Sequence, residues 1–89
     1  MKAFDLKVIT PEGVKVEEKV ESLVLPGREG SLGAWSGHEP WLILLKPGTV
    51  SFLPHGGREW KNVGIGGGVA ELGASTTVVL ADPPRGRGA

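Results

Sequence analysis

The sequence has no cysteine and no tyrosine, and only two histidines and one methionine. Without cysteine there is no disulfide and no thiolate metal ligand to staple so short a chain. The lack of thiols fits a reducing compartment. Net charge is also missing, since ten basic residues balance ten acidic ones. Residues 1–21 carry four lysines against five acids, and 22–82 carry four basic residues against five acidic ones. Only 83–89 is one-sided, with Arg85 and Arg87. Binding to a phosphate backbone needs a basic patch, so nucleic acid is excluded as the main partner. Long apolar runs are absent too. The longest, Trp41–Leu45, falls far short of the ~20 residues of a membrane helix. The opening, Met1-Lys2-Ala3-Phe4-Asp5, has no apolar signal-peptide core. These absences set the expectation of a soluble, cytoplasmic chain with no direct membrane insertion.

What the chain does have is glycine and proline, fifteen and seven of them, spread along its 89 residues. No window repeats apolar residues at helical spacing, and short runs of period two dominate. Phe4, Leu6 and Val8 alternate with Asp5 and Lys7. Thr10-Pro11-Glu12-Gly13 reads as a turn, with proline at the first central position. Val14, Val16 and Val20 then share one parity, and Lys15, Glu17, Lys19 and Glu21 the other. The parity breaks after Ser22, where Leu23, Val24 and Leu25 are all apolar, as at a β-bulge or on entry into a fully buried segment.

Trp41–Leu45 is apolar on both faces and predicts a fully buried strand. Lys46-Pro47-Gly48 reads as a turn, Pro54–Arg58 as a hairpin loop, and Gly66-Gly67-Gly68 as an interruption. Val69–Leu72 and Thr76–Ala81 follow as strands, and Asp82-Pro83-Pro84 stops the pattern. The expectation is all-β: a small flattened β-sandwich of about eight to ten short strands, with no C-terminal helical domain. The domain spans 1–82, and 83–89 is a flexible polar tail.

No catalytic constellation emerges. The two histidines sit in different loops, and nothing completes a zinc set. No serine stands in a Gly-x-Ser-x-Gly elbow. The cluster Gly64–Gly68 breaks the dinucleotide fingerprint, because Val69 stands where the last glycine belongs, and close backbone packing is the better reading. Filling the core is the ordinary role for Trp60, and Trp41 stands evenly between core and contact site. The residues alone therefore favour a binding or structural module over an enzyme, with no cofactor, metal or nucleotide site. Two alternatives remain open. One is a biotinyl or lipoyl carrier sandwich with Lys46 on a turn. The other is a glycan-binding sandwich with Trp35, Trp41 or Trp60 as a stacking platform.

The central stretch carries a more specific pattern: Leu25-Pro26-Gly27-x-Glu29-Gly30-x-Leu32-Gly33, then Gly37-His38-x-Pro40, an apolar run, and Leu45-Lys46-Pro47-Gly48. With Gly67-Gly68-Val69-Ala70-Glu71-Leu72 and Val78-Val79-Leu80-Ala81-Asp82, it closely resembles the N-terminal β-sandwich domain of the epsilon subunit of F-type ATP synthases. The resemblance implies a non-catalytic central-stalk subunit, one copy per hetero-oligomeric complex. It links the gamma subunit to the membrane c-ring and couples proton flow to ATP synthesis. It lies peripherally on the cytoplasmic face of the energy-transducing membrane. Carried over by position, Arg28, Glu29, Gly30, Ser31 and Leu32 form the ring-contacting loop. Thr10, His38, Trp41 and Leu42 face gamma. Family members often have an acid where Ser31 stands, and Glu29 is the nearest substitute. Many relatives continue into an inhibitory helical hairpin, so the resemblance here implies coupling without that brake.

Overall fold

The computed structural model describes residues 3–34 and 40–84. It has six strands: β1 (Phe4–Thr10), β2 (Gly13–Gly27), β3 (Gly30–Ala34), β4 (Trp41–Pro54), β5 (Lys61–Leu72) and β6 (Thr76–Ala81). They pair in the order β1-β6-β5-β4-β2-β3, and β1 also pairs with β2, so the sheet closes on itself. The all-β expectation holds, as a flattened sandwich. Every neighbouring pair is antiparallel except β1–β6, the first and last strands, which run parallel.

The strand count differs from the sequence reading, and the reason is physical. β2, β4 and β5 are 15, 14 and 12 residues long, and each serves both layers. The first layer is β3, β2 from Ser22, β4 from Leu45 and the start of β5. The second is the start of β4, the end of β5, β6, β1 and the start of β2. Where each strand passes from one layer to the other, the parity of its buried residues shifts. β2 buries Val16 and Val20, then Leu23 and Leu25, with a register shift between Val20 and Ser22. β4 buries Leu45, exposes residues 46–49, then buries Val50 and Phe52. β5 buries Ile65 and Gly67, then Ala70 and Leu72.

The bulge expected after Ser22 is therefore present. The turn expected at Lys46-Pro47-Gly48 and the break expected at Gly66–Gly68 are instead mid-strand crossings that face each other, Pro47 opposite Gly66 and Gly48 opposite Ile65. Gly67 and Gly68 have φ of 102° and 144°, a region that L side chains rarely adopt. Between the layers lies one apolar core, in which Phe52, Leu6, Leu23, Leu25 and Leu72 are the largest fully buried side chains.

Candidate partner interface

β4 starts beyond the end of β2. Their last pair is Gly27 with Leu45, and the Arg28 N–H then donates to the Leu44 carbonyl at 3.0 Å. The register pairs of β4 with β2 end there, and Trp41–Leu44 pair with β5. The turn Arg28-Glu29 and the start of β3 lie beside them. Together, Gly27–Leu32 and Trp41–Leu44 enclose an open depression of about 590 Å³. The structure thus brings all five loop residues, Arg28, Glu29, Gly30, Ser31 and Leu32, into one surface with Trp41 and Leu42. Gly30, at φ 132°, makes the tight return from β2 to β3.

The expectation that Trp41–Leu45 is fully buried is overturned. Trp41, Leu42 and Leu44 are 51%, 65% and 57% exposed, and only Leu45 is in the core. Outward residues of a strand alternate with inward ones. Leu44 stands opposite Val69, Val69 opposite Leu80, Leu80 beside Ile9, and Ile9 opposite Val14. The result is an apolar row across the outer face of the second layer, with Leu80 and Val14 exposed by about half. A parallel row runs Leu42, Glu71, Val78, Lys7 and Glu17, closed by a Lys7–Glu17 ion pair at 3.5 Å. The first layer's outer face is different. Its row is Gly33, Val24, Ser51 and Asn62, with the Ser51 hydroxyl donating to Asn62 Oδ1 at 2.7 Å. The second layer thus carries a continuous apolar row on its outer face, and the corresponding row of the first layer is mostly small and polar.

The remaining predicted residues scatter. Thr10 is buried, accepts from the Glu12 N–H at 3.1 Å on its hydroxyl, and lines a separate depression with Leu80, Ala81 and Asp82. It braces the β1–β2 turn. His38 and Trp35 lie outside the described residues. Trp60 is 47% exposed rather than in the core. Lys46 stands in the β4 crossing, not on a hairpin tip, which removes the geometry a carrier lysine needs. Sequence reasoning missed Ile9, Val14, Leu44, Val69 and Leu80. For Ile9, Leu44 and Leu80 the available signal was parity, since their sequence neighbours point toward the core, whereas Val14 shares the parity of buried Val16 and is turned out by the register shift at Val8/Ile9.

The electrostatics are those of a surface. Among the described residues no cluster of metal-ligating side chains occurs. The Glu21 carboxyl is perturbed. Glu21, in the β2 bulge, lies below its usual value because the Gly56 N–H donates to it at 3.1 Å, helped by His55 Nδ1 at 3.1 Å. The His55 N–H in turn donates to the Lys19 carbonyl at 2.9 Å, so the tip of the β4–β5 hairpin is tied to β2.

A closed sandwich with three layer-crossing strands and one apolar outer face now has a counterpart. The family described as "ATP synthase, Delta/Epsilon chain, beta-sandwich domain" matches residues 3–83. The chain belongs to that family. It is 42% identical over 77 residues to the ATP synthase epsilon chain of Desulfatibacillum aliphaticivorans, covering 86% of this chain and 54% of the relative. To the epsilon chain of Synechocystis it is 39% identical over 75 residues, 84% of this chain and 54% of that one. The chain thus spans about half the length of the epsilon chains it matches. Its fold also matches a chain in the cryo-EM structure of the Euglena gracilis mitochondrial ATP synthase. The TM-score is 0.80 at 22% identity, over 89% of this chain and 50% of that one. A chain of the Tetrahymena thermophila enzyme's central stalk and c-ring gives 0.71 at 18% identity, over 91% and 64%. The structural likenesses show the fold alone, and the sequence relatives show the family.

Proposed function

We propose that this chain is a non-catalytic epsilon-type rotor module that seats the gamma subunit and meets the c-ring, so that proton-driven ring rotation is passed to gamma. It works peripherally at the energy-transducing membrane, on its cytoplasmic side. The observation that carries the reading is the apolar row Leu44–Val69–Leu80–Ile9–Val14 on one outer face. A row of this kind on an otherwise well-solvated domain marks a contact surface. Gamma is its occupant in this reading, with Leu42 and Leu44 at the rim. The loop Arg28–Leu32, backed by Trp41, is the ring-facing end. With Ser31 lacking an acid, Glu29 supplies the loop's only negative charge. The names of the sequence relatives and the central-stalk setting of the Tetrahymena neighbour support this assignment.

The test is binding to purified gamma subunit by calorimetry. Replacing Leu44 and Leu80 together by Ser should weaken binding by about tenfold or more, since each is about half exposed and covering that half contributes roughly half of the ~1.5–3 kcal/mol of a whole side chain. Ser51→Ala, on the opposite face, should leave it unchanged. Unaltered affinity in a folded double variant would show that gamma does not use this face. Replacing Arg28 and Glu29 by Ala should spare gamma binding and reduce capture of the assembled gamma complex by c-ring in nanodiscs.

A further inference from the structure

β5 carries glycine at alternate positions 64, 66 and 68. The end of the chain's described part lies against them. A Cβ on Gly68 would collide with the Leu80 carbonyl oxygen and come within 2.8 Å of the Ala81 Cα. One on Gly66 would collide with the Pro83 carbonyl oxygen, with the Asp82 Cβ 3.5 Å away. One on Gly64 would only touch Pro84, at 3.9 Å. Hydrogen bonds fasten the same contact from both sides. The Gly66 N–H donates to the Asp82 carbonyl at 2.8 Å, and the Asp82 N–H to the Gly67 carbonyl at 2.9 Å. Residues 82–84 thus continue β6 as a strap across the β5 crossing, and Pro83 and Pro84, having no N–H, end the ladder there.

The crossing that the strap covers touches the loop side of the molecule. A Cβ on Gly67 would lie 3.3 Å from the Leu45 carbonyl and 3.7 Å from Pro47. One residue before Leu45, the Leu44 carbonyl holds the Arg28 N–H. Arg28, Leu44–Pro47, Gly66–Gly68 and Asp82 line one depression. We propose that Asp82–Pro84 is a positioning strap: by pinning the β5 crossing it fixes β4 at Leu44–Pro47, and thereby the loop that begins at Arg28. Its relevance to the c-ring rests on the function proposed above, but the strap itself is tested without any partner.

The experiment is residue-resolved amide hydrogen exchange on the whole chain and on Gly66→Val, with Gly64→Ala as the control. Gly66→Val unseats the strap. Exchange at Asp82 and Arg28 should rise together by roughly tenfold, while amides of the β1–β2 hairpin keep their protection, because local openings are separable from global unfolding. Gly64→Ala should change none of them. Faster exchange at Asp82 with Arg28 unchanged would overturn the positioning role and leave a purely local contact. Unchanged exchange at Asp82 would overturn the strap itself. If Gly66→Val loses the fold outright, Pro83→Gly and Pro84→Gly together, which loosen the strap without adding bulk, must raise the Arg28 rate or the proposal fails. Failure of gamma or ring binding with this exchange pattern intact would count against the proposed function and not against the strap.

Discussion

At the residue scale, what distinguishes this sandwich is where single side chains are committed. Phe52 is 1% exposed at the centre of the core, on the half of β4 that follows its crossing. Phe52→Ala should destabilise the fold by about 3–5 kcal/mol, read from the midpoint of urea unfolding at constant slope. Glu21 is the residue whose role depends on pH. Its folded pKa lies below its unfolded one, through the Gly56 N–H first and His55 after it. The stabilisation it gives is therefore present above the usual carboxylate range and is lost as pH falls through the lowered value. Between those limits stability should fall with acid more steeply in the parent than in Glu21→Gln, which keeps the shape and cannot titrate. Parallel pH profiles of melting temperature for the two proteins would exclude the tie. The contact is exposed, so its effect is small beside that of Phe52.

At the element scale, the layer crossings decide the architecture. β2 needs one extra residue at Glu21–Ser22 to turn Leu23 and Leu25 inward after Val16 and Val20. Deleting Ser22 would remove the bulge and the bend it gives β2 where the strand passes from one layer to the other. The expected outcome is loss of cooperative unfolding and strong binding of a hydrophobic dye. A deletion variant with a parent-like sharp transition would show that the bulge is dispensable. This element was legible in the sequence, because the break in parity is written in the residues themselves. The crossings of β4 and β5 were not. Pro47-Gly48 and Gly66–Gly68 carry the same residue types as a chain reversal, and local chemistry does not tell a bend inside a strand from a turn between two. What separates them is that each crossing is paired to the other, residue against residue, a fact that belongs to the tertiary structure. Counting each long strand as two pieces accounts for the excess of strands over six.

At the scale of the whole molecule, the class and the family signature were readable because glycine and proline mark positions where backbone shape is compulsory. The loop Arg28–Leu32 was readable for the same reason, since Pro26-Gly27 and Gly30 set its return. The apolar outer face was not. Parity marks Leu44 and Leu80 singly as outward, but the row they form exists only once four strand pairings are known. Closure depends on contacts far apart in sequence. Folding should therefore be a single slow phase in the millisecond-to-second range, and a microsecond phase carrying the full amplitude would contradict a nucleus built on non-local pairs.

The parallel pairing of the first and last strands has a mechanical meaning. Phe4 and Ala81 lie at opposite ends of that pair, since Asp5 aligns with Thr76 and Ile9 with Leu80. A tension applied through β1 at one end and β6 at the other would slide the two strands along each other. Their hydrogen bonds would then share the load at once instead of parting one by one. Each layer-crossing strand would relay that load to the opposite sheet. A domain clamped in this way stretches little before it yields, which is what the rotor role proposed above would require of it.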